Sequence, residues 1–281
     1  MKRAKPQPQR RSVPPQARRP LLVIDGDSFA HRAYHALPKN ILRDNGRPAG
    51  AILGFANRLL QLYRTEGPRA VLVGWDTLEA ATYRNDAFAD YQSGREFDDD
   101  LVEQLALIPK FVAACGFANA KRAGYEADDF LAAAASAGER RGGAVLVASG
   151  DRDTFQLASA RTTILYPLRA GEMARIGPEQ VRERYGVEPK QVPDFIALRG
   201  DPSDKLPGAP GVGAQGAGAL RFARIADDLR FYRAIATMNK KAPLPSLAGQ
   251  KPTFAKAAKL ARKWQLRQLA GRLEEIAKHR S

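Results

Sequence analysis

A single cysteine, Cys115, rules out an internal disulfide, and its place beside the apolar stretch Phe111-Val112-Ala113-Ala114 reads as burial as a small hydrophobe rather than as a reactive thiol. No apolar run approaches the length needed to cross a bilayer. The N-terminus starts basic, Met-Lys-Arg-Ala-Lys, but no hydrophobic region follows, so export is not expected and a cytoplasmic address follows by default. Acidic side chains are missing from residues 1–20, which are rich in Arg, Lys, Pro and Gln; such a segment cannot bury a core and is expected to be a disordered basic tail. Across the whole chain 45 Lys and Arg stand against 30 Asp and Glu, a formal net charge of +15. That excess points to a polyanionic partner, nucleic acid before acidic membrane, although a basic balance also serves solubility alone. The 281 residues, 44% apolar and 27% charged, suffice for one large α/β domain or a domain with an appendage.

Against this basic background, nine carboxylates stand in five short clusters, each where a strand or loop hands over to a helix. They are Asp25; Asp76; Glu126, Asp128 and Asp129; Asp151 and Asp153; and Asp201 and Asp204. Three clusters follow apolar, β-branched runs of strand length: Leu21-Leu22-Val23-Ile24, Val71-Leu72-Val73-Gly74-Trp75 and Ala144-Val145-Leu146-Val147-Ala148. In a parallel sheet covered by helices the carboxyl ends of the strands open onto one crevice, where residues distant in sequence converge. Converging carboxylates repel, so the set is intelligible mainly with hard divalent cations among them. Two such ions a few ångströms apart clamp the attacking and leaving oxygens of a phosphodiester. With nine of the 30 acids gathered at one site, the rest of the surface carries 45 basic against 21 acidic side chains.

From Leu21 onward strand and helix alternate, which argues for a central, mostly parallel sheet flanked by helices. The pattern predicts a strand ending at Asp25, a helix over 49–63, a strand over 70–75, and a helix over 100–114 with Pro109 as the place where it would kink. A helix opening near Glu126 and ending before Gly142-Gly143, a strand to Ala148 and a short helix from Thr154 follow. Between Trp75 and Asp100 the alternation stops. This stretch, with Thr82-Tyr83-Arg84 and Tyr91-Gln92-Ser93-Gly94-Arg95, reads either as an ordinary surface loop or as a functional segment whose interleaved Tyr and Arg suit a flexible single strand. After a helix over 193–198, glycines at 208, 211 and 213 permit close backbone approach just before another expected helix, an arrangement that offers backbone N–H groups to a phosphate. The remainder from Ala226 is helical by composition. Lys256, Lys259, Arg262, Lys263, Arg267 and Arg272 there are as readily a solvated face as a binding surface.

Taken together, these residues resemble the 5′ nuclease superfamily of flap endonucleases, and most closely the 5′→3′ exonuclease domain found at the N-terminus of bacterial DNA polymerase I. The resemblance runs from about Leu21 to Leu220. It is carried by Val-Ile-Asp-Gly-Asp-Ser with Arg32-Ala33-Tyr34-His35-Ala36, Gly54-Phe55-Ala56, Trp75-Asp76, Tyr91 with Arg95, Gly124-Tyr125-Glu126-Ala127-Asp128-Asp129, Ser149-Gly150-Asp151-Arg152-Asp153, and Gly200-Asp201 through Val212-Gly213. It implies a PIN-like core over 21–190 and a DNA-binding helix–three-turn–helix with further helices over 191–281. It also implies an arch over the active site from residues 78–99, and DNA with 5′ flaps, nicks or free 5′ ends as substrate. The implied cofactor is Mg²⁺ or Mn²⁺, two ions: the first among Asp25, Asp76, Glu126 and Asp128, the second among Asp128, Asp151, Asp153 and Asp201, with Asp129 and Asp204 beside them. Arg32, Tyr91 and Arg95 would serve catalysis. Arg84, Gln92, Gly208, Gly211, Val212, Gly213 and Gln215 would meet DNA, and the glycine turn would hold a monovalent cation. A monomeric, stand-alone nuclease without a polymerase region is the expectation.

The chain departs from the family pattern at three places. Gln92 stands where relatives carry a lysine beside the scissile phosphate, removing a charge that stabilises the transition state. The turn reads Gly211-Val212-Gly213-Ala214-Gln215-Gly216-Ala217 without the usual lysine and hydroxyl, and Asp204-Lys205 replaces Asp-Asn. Two rivals remain. Ile24-Asp25-Gly26-Asp27-Ser28 with Gly200-Asp201-x-x-Asp204 imitates a haloacid-dehalogenase-type phosphatase, though that leaves the Glu126, Asp151 and glycine motifs without a role. A DNA-structure-binding protein without catalysis fits the lost lysines, but a carboxylate cluster without metal costs stability and repels DNA.

Overall fold

The computed structural model describes residues 19–44, 46–77, 80–93, 96–210 and 225–278. β1 (Leu21–Asp25) is buried along its whole length, as a continuous Leu-Leu-Val-Ile run in the middle of a parallel sheet should be. The chain turns at once into α1 (Gly26–Ala36), with Asp25 as N-cap: its carboxylate accepts the Ser28 N–H at 3.0 Å. Gly26 is needed there because a Cβ would lie 2.4 Å from the Trp75 ring. α2 (Gly50–Glu66) ends on Gly67 in the left-handed region and leads into β2 (Ala70–Gly74). A short α3 (Tyr83–Ala87), α4 (Asp99–Ala114), β3 (Ala118–Ala120), α5 (Ala127–Arg140) and β4 (Val145–Ala148) follow. A 3₁₀ turn, Asp153–Leu157, precedes β5 (Thr162–Pro167) and β6 (Met173–Ile176). Then come α6 (Pro178–Tyr185), α7 (Val192–Arg199), α8 (Ala226–Ala236), α9 (Phe254–Lys263) and α10 (Arg267–Lys278).

The six strands lie in the order β3-β2-β1-β4-β5-β6, parallel throughout except for the antiparallel β5–β6 pair. Register does the work that matters for the site. Asp25 pairs with Gly74 of β2, and Ile24 with Ala148 of β4, so β1, β2 and β4 finish at one edge. The acidic residues that follow each strand therefore start from the same line. Alternate side chains divide the core into two layers. Leu22, Ile24, Val71 and Val73 face α1, α2, α4, α9 and α10, whereas Leu21, Val23, Leu72 and Val147 face α5, α6, α7 and α8. Cys115 is fully buried in the first layer, where burial pushes its thiol pKa up.

Several elements differ from the sequence expectation. β2 stops at Gly74, one residue short of the expected Trp75, at a position where a Cβ would lie 3.0 Å from the Ala127 carbonyl, and α2 runs on to Glu66. Pro109 sits inside α4, and its carbonyl accepts from the Asn119 side chain at 3.0 Å. The stretch after Leu157, in which no strand was expected, adds β5 and β6 to the sheet edge. The segment between Trp75 and Asp100, read as a surface loop or a functional segment, contains α3 and buries Thr82, Arg84 and Tyr91. The C-terminal region is interrupted between α8 and α9, where Pro243, Pro245, Gly249 and Pro252 exclude helix. The helix expected after the glycine turn lies outside the described residues. No described helix is long and apolar enough to cross a membrane.

Candidate active site

All five acidic clusters reach one cleft of about 750 Å³ at the carboxyl edge of the sheet, through Asp25, Asp76, Glu126 with Asp128, Asp151 with Asp153, and Asp201. Short polar links fix the rim. The Ser149 hydroxyl donates to Asp25 at 2.6 Å, the Gly150 N–H to Ser28 Oγ at 3.1 Å, and the Arg32 guanidinium to the Gly150 carbonyl at 3.1 Å. The ends of β1 and β4 are thus tied together. Asp76 is oriented by the Ala127 N–H, which donates to its Oδ1 at 2.8 Å, and Asp151 by the Asp153 N–H at 2.9 Å. Asp201 opens a small loop closed by reciprocal backbone bonds with Leu206, at 2.9 and 2.8 Å. That loop is packed so closely that a Cβ on Gly208 would lie 2.4 Å from the Gly200 nitrogen.

Asp27 was not singled out as a site residue, yet it lines the same cleft, 8% exposed, and accepts the Asp76 N–H at 2.8 Å. Its signal lay in the Asp25-Gly26-Asp27 spacing that prompted the phosphatase comparison. Asp25 accepts one hydrogen bond at each oxygen, from Ser28 and Ser149, which leaves a lone pair on each toward the cleft.

Behind the cleft lies a buried polar cluster that sequence reasoning missed. Arg84, 2% exposed, donates to Glu126 at 2.7 Å, to Asp129 at 3.1 Å and to the Ile235 carbonyl at 3.0 Å. It therefore has no face for DNA, the role expected of it, and instead serves the acidic site from behind. Glu126 also accepts from the Thr82 hydroxyl at 2.8 Å and the Tyr91 phenol at 3.0 Å. Asp129 is fully buried and accepts from Tyr83, Arg84 and the Asn239 and Glu126 N–H groups, so protein donors saturate it and it is not a free metal ligand. Burial works against the Arg84 charge, but the two carboxylates outweigh it and hold the guanidinium protonated well above its ordinary range.

The cleft's electrostatics follow from burial and crowding. Burial, opposed by the Ser149 and Ser28 hydrogen bonds and reinforced by Asp76 and Asp151, pushes Asp25 up to about 7. Asp27, Asp128 and Asp153 are held well above the usual carboxylate range, by burial first and then by Asp76 in the first case and Asp151 in the other two. Burial also raises Glu126, against the pull of Arg84. Among the described residues Asp128 and Asp153 accept no hydrogen bond from protein, and Asp76 accepts only at Oδ1, so carboxyl oxygens face the cleft without a protein donor. Hard oxygen donors of this kind suit Mg²⁺ or Mn²⁺. They line the cleft without closing into a shell: among the described residues no three acidic, His or Cys side chains are gathered tightly enough to hold an ion.

A profile of the 5′-3′ exonuclease, N-terminal resolvase-like domain matches residues 20–186. The chain belongs to this family. DNA polymerase I of Mycobacterium bovis is 40% identical over 201 residues, which make up 70% of this chain and 22% of that one. The thermostable DNA polymerase I of Thermus thermophilus is 41% identical over 194 residues, 69% and 22% of the two chains. The chain thus spans about a fifth of the length of these curated relatives. Among solved structures, T5 5′-exonuclease with bound zinc superposes with a TM-score of 0.65 at 17% identity, covering 92% of this chain and 100% of that one. Human GEN1 in complex with Holliday junction DNA gives 0.58 at 14% identity, covering 92% and 72%. At these identities the likeness is one of fold.

Within this exonuclease domain the remaining expected residues fall into three groups. Tyr91, 3% exposed, points inward to Glu126, so it anchors its segment instead of lining an open surface. Gln92 borders the cleft, but its amide donates to the Tyr91 phenol and to Asp204 Oδ1, each at 2.9 Å, which joins the segment's foot to the Asp201 loop. Lys205 adds a second link to Ser93 at 2.7 Å. Gly208 holds its loop in a left-handed conformation, φ +71°. Arg95, Gly211, Val212, Gly213 and Gln215 lie outside the described residues.

Proposed function

We propose that this exonuclease domain is a divalent-metal-dependent nuclease that hydrolyses DNA from 5′ ends and at 5′ flaps. The observation that carries the reading is the convergence of five acidic clusters on one cleft in a chain of net charge +15, with Asp128 and Asp153 accepting no protein hydrogen bond among the described residues. Asp25, Asp76, Glu126 and Asp128 would hold one Mg²⁺ or Mn²⁺, and Asp128, Asp151, Asp153 and Asp201 a second. When bound, the ions supply charge neutralisation at the phosphodiester and activation of the attacking water. The protein's own part is positional. Ser149, Ser28 and the Ala127 N–H aim the carboxylates, Arg84 compensates Glu126 and Asp129 from behind, and the exposed donors of Arg32 at the rim are available to phosphate.

The rival reading, a DNA-structure binder without catalysis, has one observation in its favour: Gln92 is uncharged and its amide is engaged by Asp204. Incubation with 5′-flap, nicked and single-stranded DNA, with and without Mg²⁺, separates the two. Metal-dependent 5′ products of defined length support the nuclease, whereas binding of all three DNAs without products at any metal concentration supports the binder.

A further inference from the structure

At the edge of the sheet away from the acidic cleft, a second pocket of about 310 Å³ opens between the start of β1, the end of α5 and the loop that precedes α9. Leu21 lines it, at the opposite end of β1 from Asp25 and so roughly 13 Å away at about 3.3 Å per residue. The walls are of two kinds. Leu21, Leu244, Pro245 and Leu247 are apolar, whereas Arg69, Arg141 and Ser246 bring polar groups. Among the described residues no carboxylate lines the pocket, and neither arginine has an acidic partner. Arg69 donates from Nη1 to the Leu247 carbonyl at 3.0 Å, and its other guanidinium nitrogens have no protein acceptor there. The Ser246 hydroxyl accepts the Ala248 N–H at 3.5 Å and keeps its own proton to donate.

Two arginines at one small pocket without a carboxylate oppose each other. Burial lowers the Arg69 pKa, and the Arg141 charge lowers it further. The C-terminus of α5, which Arg141 caps, favours a cation through the helix dipole. That dipole and the one bond to Leu247 still leave most donors of the pair unused. We propose that this pocket binds a phosphate monoester on an apolar or planar carrier of about mononucleotide size, at a site separate from the acidic cleft. Charge chooses the head group. Two guanidinium forks beside a hydroxyl match a monoester, which brings close to two negative charges and three acceptor oxygens, whereas a carboxylate or a phosphodiester brings one charge. Size and lining choose the carrier. The volume lies at the small end of ligand pockets, which begin at about 300 Å³, and is too small to take in a nucleic-acid helix; the leucines and Pro245 offer an apolar wall that a base can cover. A 5′-mononucleotide, the smallest product that hydrolysis from a 5′ end releases, has both parts.

The test uses the full chain in chelator, without DNA, and titrates it calorimetrically at pH 7.5 with dTMP, with thymidine and inorganic phosphate as companions. The proposal expects one saturable dTMP site per chain, displaced by inorganic phosphate, and no saturable binding of thymidine at the same concentrations. Arg141→Gln should weaken dTMP binding about tenfold or more, the loss expected when a charge-assisted hydrogen bond is removed, and Arg141→Lys should recover part of it. Arg141 is exposed, so the melting temperatures of its variants should match the parent within about 2 °C. Arg64→Gln removes the same charge from the exposed surface of α2 and controls for general attraction to a basic protein; it should bind dTMP as the parent does. No saturable dTMP binding by the parent up to about 10 mM, beyond the range of a specific site, would overturn the proposal. So would equal losses in Arg64→Gln and Arg141→Gln, or no loss in either. With neither metal nor DNA present, these outcomes leave the nuclease reading to its own assay on flap DNA.

Discussion

Arg84→Met removes the buried guanidinium that serves Glu126 and Asp129 together. In the native protein it makes contacts of 2.7 and 3.1 Å to two carboxylates that are 7% and 0% exposed, and a third of 3.0 Å to the Ile235 carbonyl. Breaking a buried pair by deleting one partner costs about 3–5 kcal/mol, because the other charge is left without compensation. At about 2–4 °C per kcal/mol for a chain of this size, the melting temperature of the metal-free protein should fall by roughly 6–20 °C at pH 7.5. The fall should be smaller at pH 5, where Glu126, raised already by burial, can take up a proton in place of its lost partner. Arg84→Lys keeps a charge but cannot reach three acceptors at once, so its effect should be intermediate. Circular dichroism melts in chelator give the answer directly. A shift below about 2 °C for Arg84→Met would refute the claim that this residue holds the acidic cluster from behind.

Three further outcomes are expected. Asp25, pushed up to about 7 from 3.8, binds more protons folded than unfolded. Its contribution is full below about pH 4 and is lost as pH rises through 7, so metal-free protein should melt lower at pH 7.5 than at pH 5.5 and Asp25→Asn should flatten that slope. Gln92→Lys should raise the single-turnover rate on 5′-flap DNA while altering affinity less; an unchanged or slower rate would mean that position 92 does not approach the scissile phosphate. Gly208→Ala forces a Cβ against the Gly200 backbone at φ +71° and should lower stability by about 1–3 kcal/mol in a urea titration, with a neutral result ruling out the close packing of the Asp201 loop.

The central strands were legible because β1, β2 and β4 are fully buried on both faces, which writes them as unbroken apolar runs. β3 was not, since Ala-Asn-Ala carries no such run and exists by pairing with β2. α1 was hidden by its Gly-Asp-Ser start, poor helix formers that here serve the Asp25 cap and the approach of Trp75. The carboxylates could be found because strand ends advertise them. Their division of labour could not: Asp128 and Asp129 are neighbours in sequence, yet one faces the cleft and the other is buried against Arg84 and Asn239. Arg84 itself sits in a stretch with no periodicity, and its partners lie more than forty positions away, where no local pattern could reveal them.

The central claim is that the carboxylates of the cleft act with divalent metal on DNA, and Asp128→Asn tests it most directly. The change removes one negative charge, with little alteration of shape, from a side chain that accepts no protein hydrogen bond among the described residues. Parent and variant would be titrated with Mg²⁺ on 5′-labelled flap DNA, with products resolved by length and DNA binding followed in parallel. The account predicts Mg²⁺-dependent cleavage by the parent, none in chelator, and in the variant a loss of cleavage by at least about two orders of magnitude with DNA binding retained. Cleavage by the variant at the parental rate, or parental cleavage indifferent to chelator, would contradict it.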